Sequence, residues 1–236
     1  IEGWNLRDYA RALENKELFS ADDFLALTGE PMIDYRNSQK ENPKDYSDEF
    51  SFLKDKPKHQ GLEGYLFPDT YRFFVDVSPD DVIRRMLSNF DSKLTVKMRE
   101  DIFSQSKTIH EIVTMASIIE KEVRSERDMK MVSGIFWNRI KNRQALESCA
   151  TLAYILGVNK IQYSFEETRT PSFYNTYINR GLPPGPIANP GLKAIEAAIY
   201  PEENNFNYFL INTETGETVF SRTYEEHLIN KNKYIK

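Results

Sequence analysis

One cysteine and three histidines in 236 residues leave little room for several kinds of chemistry. The lone Cys149 excludes an intramolecular disulfide framework, and with no histidine suggested as its partner it reads as structural rather than nucleophilic. His59, His110 and His227 are scattered and near no cysteine pair, and HExxH, CxxC and EF-hand patterns are missing, so no protein-ligated metal is expected. There is no glycine-rich phosphate loop and no GxSxG elbow. No apolar run approaches the ~20 residues of a membrane-spanning helix, and no signal peptide is visible. Positive charge is outweighed, with 31 Lys and Arg against 36 Asp and Glu and a pI near 5.4. That balance argues against nucleic acid as a partner.

What is present points to a packed α+β protein. The chain is 40% hydrophobic and 13% aromatic, enough for a core and against global disorder. Helical spacing and start signals predict helices from Asn5 to Lys16, from Ser20 to Gly29, and after Ser78-Pro79-Asp80-Asp81. Thr108 and Glu111 form a capping box ahead of a stripe of Ile112, Val113, Met115, Ala116, Ile119 and Val123. Ser125 starts a further helix, a short one runs from Ser148 to Leu156, and another begins at Asn189-Pro190. Residues 34–60 are charged and read as a connection with little core. Thr70 to Val75 is prone to form a strand, Tyr208–Ile211 and Glu217–Phe220 suggest a hairpin, and Thr223 with Glu226 caps a terminal helix.

By elimination, the chemistry rests on carboxylates. Glu120 borders the apolar stripe of its helix one turn beyond Ala116 and Ser117, where partial desolvation would keep it protonated as a general acid. A plain i, i+4 pair with Arg124 is the alternative. Glu122, about 200° further round the helix, is expected to face water. Glu63 and Asp69 lie among aromatics and a proline in LEGYLFPDTY (62–71), as in sugar-binding clefts, although Asp69 also suits a tight turn. Glu147 and Ser148 form a third cluster, with Ser148 a plausible N-cap. Tyr174 to Gly191 (YNTYINRGLPPGPIANPG) holds four prolines and three glycines, so it can be neither helix interior nor central strand. It is expected to be a stiff binding wall.

LEGYLFPDTY, ASIIEKE (116–122) and YNTYINRGLPPGPIANPG together resemble the YceG-like family of endolytic murein transglycosylases. The resemblance covers nearly the whole chain, from Glu2-Gly3-Trp4 to the final hairpin and helix. It implies a LysM-like module over residues 1–75, shortened at its first strand, and a catalytic domain over 76–236. It implies cleavage of the β-1,4 bond between N-acetylmuramic acid and N-acetylglucosamine with formation of 1,6-anhydro ends, without metal or organic cofactor. The family's catalytic glutamate lies in the ASIIEKE-type motif and is carried onto Glu120. Glu63, Ser117, Asn175, Tyr177 and Asn189 are the substrate-binding candidates. Where family members commonly read LQSD, this chain has Leu146-Glu147-Ser148-Cys149, which puts any role of the two exchanged side chains in question and makes Glu147 a fallback second carboxylate.

The implied partners are peptidoglycan strands and peptidoglycan synthases. The chain opens at Ile1 rather than Met, directly before a helix start. It therefore reads as a fragment whose N-terminal anchor, a single transmembrane helix in the family, has been removed, with this domain outside the cytoplasm. A non-catalytic peptidoglycan-binding or scaffolding module is the alternative function.

Overall fold

The computed structural model describes residues 1–235. Nine α-helices, three short 3-10 turns and a single two-stranded sheet account for the regular structure among them. In order the α-helices and strands are α1 (Leu6–Glu14), α2 (Ala21–Thr28), α3 (Pro79–Lys93), α4 (Val96–Ser104), α5 (Ile109–Glu122), α6 (Glu126–Lys141), α7 (Cys149–Leu156) and α8 (Leu192–Ile199), followed by β1 (Tyr208–Ile211), β2 (Thr218–Ser221) and α9 (Tyr224–Tyr234). The sheet is antiparallel, pairing Tyr208 with Ser221 and Ile211 with Thr218.

Local chemistry sets the helix starts. Reciprocal bonds close capping boxes at Asn5/Asp8, Thr108/Glu111 and Thr223/Glu226, and the Ser78 hydroxyl accepts from Asp81 N with Pro79 at the first helical position. Each satisfies amides that a helix N-terminus otherwise leaves unpaired. The sequence expectation missed α4, which Thr95 caps and which buries Met98 and Ile102 one turn apart. It also placed the start of α8 two residues early: the helix begins at Leu192, because Asn189 and Pro190 are consumed in the packing described below.

Two expectations fail for physical reasons. Thr70–Val75 forms no strand, since no neighbouring strand offers a ladder, and Phe74 and Val75 are 85% and 84% exposed. Residues 34–60 were expected to carry little core, yet Tyr35, Tyr46, Phe52 and Leu53 are buried. Phe52 stacks on Phe90 of α3 with ring centroids 4.9 Å apart. Charge density hid these anchors because they are too widely spaced to make a periodic pattern.

The core centres on α5, whose residues from Ile112 to Ile119 are all buried. It packs against α8, α6, α7, α4 and the 3-10 turn at Ser51–Asp55. Ala194, Ala197 and Ala198 give α8 little side-chain bulk, which suits a close helix-on-helix contact. Hydroxyls inside α5 are satisfied along the helix and across it. Thr114 Oγ1 donates to His110 O at 2.7 Å, and Ser117 Oγ donates to Thr114 O at 2.7 Å while accepting from Ile187 N at 3.0 Å.

The proline-rich segment is a seam rather than an open wall, because Pro183 and residues 185–190 are buried. Gln60 Nε2 and His110 Nε2 both bond to Pro184 O, at 3.0 and 2.9 Å. A carbonyl can only accept, so His110 carries its proton on Nε2 and its Nδ1 accepts from Tyr65 OH at 2.8 Å. The Asn189 side chain accepts from Leu66 N at 2.9 Å and donates to Trp4 O at 3.0 Å and to Glu63 at 3.1 Å. Gly3 N to Asn189 O and Asn189 N to Trp4 O complete the clamp on the N-terminal segment. Glu63 in turn accepts from Leu6 N, the first amide of α1, and from Tyr154 OH at 3.4 Å.

Gly64 lies at φ +91°, and a Cβ there would fall 2.4 Å from Pro186 Cβ and 2.9 Å from Val113 Cγ1. Gly64→Ala therefore adds overpacking to a positive-φ penalty. It should cost about 2–3 kcal/mol and lower the Tm by several degrees in thermal unfolding. Burial pushes the Glu63 carboxyl up from 4.5 to about 8, opposed in part by the Leu6 and Tyr154 bonds. With the folded value raised, its stabilising contribution is complete below 4.5 and is lost as pH climbs through about 8. Glu63→Gln should flatten that fall, by at most about 1.4 kcal/mol per pH unit, in denaturant unfolding across the same window.

Candidate active site at the end of α5

Glu120, Lys121 and Glu122 close α5 on two different sides. Glu120 is half-buried. Its Oε2 accepts from Gly191 N at 2.9 Å, and no ion pair joins it to Arg124 among the described residues. Lys121 Nζ donates to Gly3 O at 3.1 Å. Glu2 is close too, since a Cβ on Gly191 would fall 2.3 Å from its Oε1. Burial raises the Glu120 pKa, the Gly191 bond and Lys121 oppose the rise, and Glu2 adds to it. The carboxylate thus sits under the N-terminal segment and the end of the seam.

Glu122 does not face water as expected. Its Oε1 accepts from the Ser148 hydroxyl and from Ala150 N at 3.3 Å, so it caps the N-terminus of α7 from outside that helix. Ser148 is at the N-cap position but makes no cap bond of its own, its hydroxyl being given to Glu122. Burial raises the Glu122 pKa against the opposing pull of Ser148, Ala150 and the field of Arg139. The second oxygen, Oε2, has no hydrogen bond among the described residues and is not one of their enclosed unpaired atoms. A half-buried carboxyl with one oxygen anchored and one free can hold a proton and present it.

Three distant segments converge on this carboxyl. Ser148 N donates to Thr176 Oγ1 at 3.1 Å, and Thr176 Oγ1 lies 2.9 Å from Thr151 Oγ1. Cys149 Sγ and Tyr177 OH are 3.2 Å apart, and burial pushes the Cys149 thiol up, which keeps it un-ionised. Arg139 donates to Leu146 O at 2.6 Å and pairs with Glu147 at 3.7 Å. Glu147 holds φ +51°, a left-handed conformation unusual for a residue with a side chain. Backbone strain of this kind gathers at sites where surrounding contacts over-determine the geometry.

The other candidate residues serve the scaffold. Ser117, Asn175 and Asn189 are each 0% exposed. Asn175 Nδ2 donates to Thr168 O and Thr170 O at 3.0 and 2.8 Å, and its Oδ1 accepts from Tyr177 N at 3.0 Å. Ser117 and Asn189 are committed as described above, so all three act through the segments they hold. Glu63 is 7% exposed and faces a hollow of about 10 Å³, which admits about one water. Of the substrate-binding candidates only Tyr177, half-buried beside Cys149, stands in the Glu122 cluster.

The helical-wheel argument that turned Glu122 outward assumed a solvent face, and α5 has none between Ile112 and Ile119. The available signal was the run from Ile112 to Ile119 itself, which carries no charge. A helix apolar all round is buried, and both carboxylates at its end then border packed structure.

Comparison with known proteins agrees with this architecture. The model of the YceG-like family matches residues 1–233. A Bacillus subtilis protein named endolytic murein transglycosylase is 35% identical over 99% of this chain, and one of the same name from Streptococcus pneumoniae R6 is 32% identical over 78%. The chain spans 64% of the first relative and 34% of the second. The crystal structure of a yceG-like protein from Listeria monocytogenes superposes with a TM-score of 0.79 at 37% identity, covering 97% of this chain and 74% of that one. A match through nearly every residue, with the helical core in the same arrangement, places this chain in the YceG-like family.

Proposed function

We propose that this chain is the catalytic part of an endolytic peptidoglycan lytic transglycosylase, with a carboxyl at the end of α5 as its acid and base. The relatives' shared name supports the reaction class. The observation that carries the site is Glu122, half-buried, protonation-prone and anchored through one oxygen by Ser148 and Ala150 N. Geometry favours it over Glu120, to which the motif resemblance pointed. Glu120 is covered by Gly3 and Gly191, with Glu2 as its acidic neighbour, whereas Glu122 stands among hydroxyls, a thiol and Arg139.

In this reading the acid protonates the glycosidic oxygen between N-acetylmuramic acid and N-acetylglucosamine. The muramic acid C6 hydroxyl closes on C1, and its proton passes to the carboxylate, restoring the acid and leaving a 1,6-anhydro end. One group acting in both directions needs neither a second catalytic carboxylate nor a cofactor, unlike the paired carboxylates of most glycosidases. Arg139 and Tyr177 border the cluster where charge develops. Ser117, Asn175 and Asn189 are positioning residues for the segments around it.

Further parts of the proposal are a LysM-like module over residues 1–75, an N-terminal membrane anchor in the whole protein, an extracytoplasmic location and peptidoglycan synthases as partners. The raised Glu122 pKa predicts activity that falls on the alkaline side, with the midpoint above the ordinary carboxylate value of 4.5.

Mass spectrometry of products from purified glycan strands tests the reaction. Wild type should release 1,6-anhydro-muramyl ends. Glu122→Gln should lose about 10²–10⁴-fold in rate with folding intact, and Glu120→Gln should lose far less. The reverse pattern returns the role to Glu120. Reducing muramic acid ends would mean hydrolysis, and tight binding without products would mean a non-catalytic module.

A further inference from the structure

A groove of about 320 Å³ has neither of the α5 carboxylates in its lining. One side comes from residues 32–36 and 59–60 and the other from Ser172–Tyr174 and Pro184. Its size falls at the lower end of small-molecule sites, which run about 300–1,000 Å³. Three features mark it as more than a surface dent. Phe173, one of the lining residues, is 82% exposed and leaves its ring free for a ligand. Met32 is held at φ +65°, a left-handed conformation that costs a side-chain-bearing residue and is kept only where neighbours impose it. The His59 imidazole lines the groove and makes no side-chain hydrogen bond among the described residues.

Charge narrows the choice of ligand. Asp34 and Arg36 are the charged groups of the lining, and they satisfy each other through a two-pronged pair, with Nε to Oδ1 at 3.0 Å and Nη2 to Oδ2 at 2.6 Å. A groove neutralised in this way offers no free charge to an ionised peptide. It offers aromatic faces from Phe173 and Tyr174, and the polar edges of His59, Gln60 and Ser172. Apolar C–H faces flanked by hydroxyl and acetamido groups, which an uncharged N-acetylhexosamine presents, match that lining.

The groove is also joined to the reactive cluster. Tyr174, on its wall, precedes Tyr177, beside Cys149, by three residues, and a chain of that length reaches at most about 10 Å. Asn175 between them is locked by its bonds to Thr168 O, Thr170 O and Tyr177 N, so the two aromatic positions are fixed relative to each other. From this arrangement we infer that the groove is a distal subsite that holds an N-acetylhexosamine unit of a glycan strand while a bond further along that strand lies at Glu122. The inference rests on the glycan-cleaving reading of that site, and it adds a second point of attachment that would make the protein sense strand length.

The test is a titration of the Glu122→Gln protein with N-acetylglucosamine oligomers of increasing length, read by NMR of methyl-labelled methionine together with calorimetry. Longer oligomers should shift the Met32 methyl, and Phe173→Ala should weaken their binding about tenfold without altering the melting temperature. The exposed ring is chosen so that folding is spared. Oligomer binding that leaves the Met32 methyl unshifted, with Phe173→Ala binding as tightly, would overturn the subsite and leave the proposed reaction standing. Occupancy of the groove in a protein whose wild-type form releases no anhydro ends would uphold the subsite and overturn the reaction. A free peptide stem that shifts Met32 while the oligomers do not, or oligomers that bind nowhere, would overturn the saccharide assignment.

Discussion

The buried carboxamide of Asn189 holds three parts of the chain together. It accepts from Leu66 N and donates to Trp4 O and Glu63, so the N-terminal segment, the turn after Gly61 and the proline-rich seam meet on one side chain. A fully buried amide left without partners would cost several times what each bond contributes, so the group enforces their registration as well as favouring it. Glu63 extends the constraint to the first amide of α1 and to Tyr154 of α7. Gly3 and Gly191 are then brought against the end of α5, where they cover Glu120.

A different set of constraints shapes the other side of α5. Glu122 caps α7, Ser148 gives its hydroxyl to that carboxyl rather than to its own helix, and Thr176 ties the segment carrying Tyr177 to α7. Two glutamates one residue apart therefore occupy unlike surroundings. One is bonded to the Gly191 amide beside the N-terminal segment, and the other is bonded to Ser148 and Ala150 in a polar nook. Environment, more than residue type, separates a structural carboxyl from a chemical one.

Much of the helical framework was legible because short-range chemistry writes it. Asn5, Ser78-Pro79, Thr108/Glu111 and Thr223/Glu226 marked helix starts that the structure keeps, and the hairpin at 208–221 followed from two β-prone runs about a turn. Thr70–Val75 was misread because strand formation needs a partner that propensity cannot supply. Tyr46 and Phe52 were missed because isolated anchors in a charged stretch leave no period. At the site, the motif pointed to Glu120 and helix geometry turned Glu122 outward, whereas Glu122 caps α7, with Tyr177 nearby. Motif and composition also promoted Ser117, Asn175 and Asn189, whose polarity is spent on backbone.

Most helix starts, the expectation of carboxylate chemistry and the irregular backbone of residues 174–191 could be read from the order of amino acids alone. Each follows from neighbours along the chain or from elimination by composition. Folding in three dimensions set the unlike surroundings of Glu120 and Glu122 and buried Pro183 and residues 185–190 under their own contacts. It also brought Met32 and His59 to share a groove with Phe173. Those outcomes depend on groups distant in sequence entering one another's hydrogen-bond and dielectric environment, and no local pattern encodes that meeting.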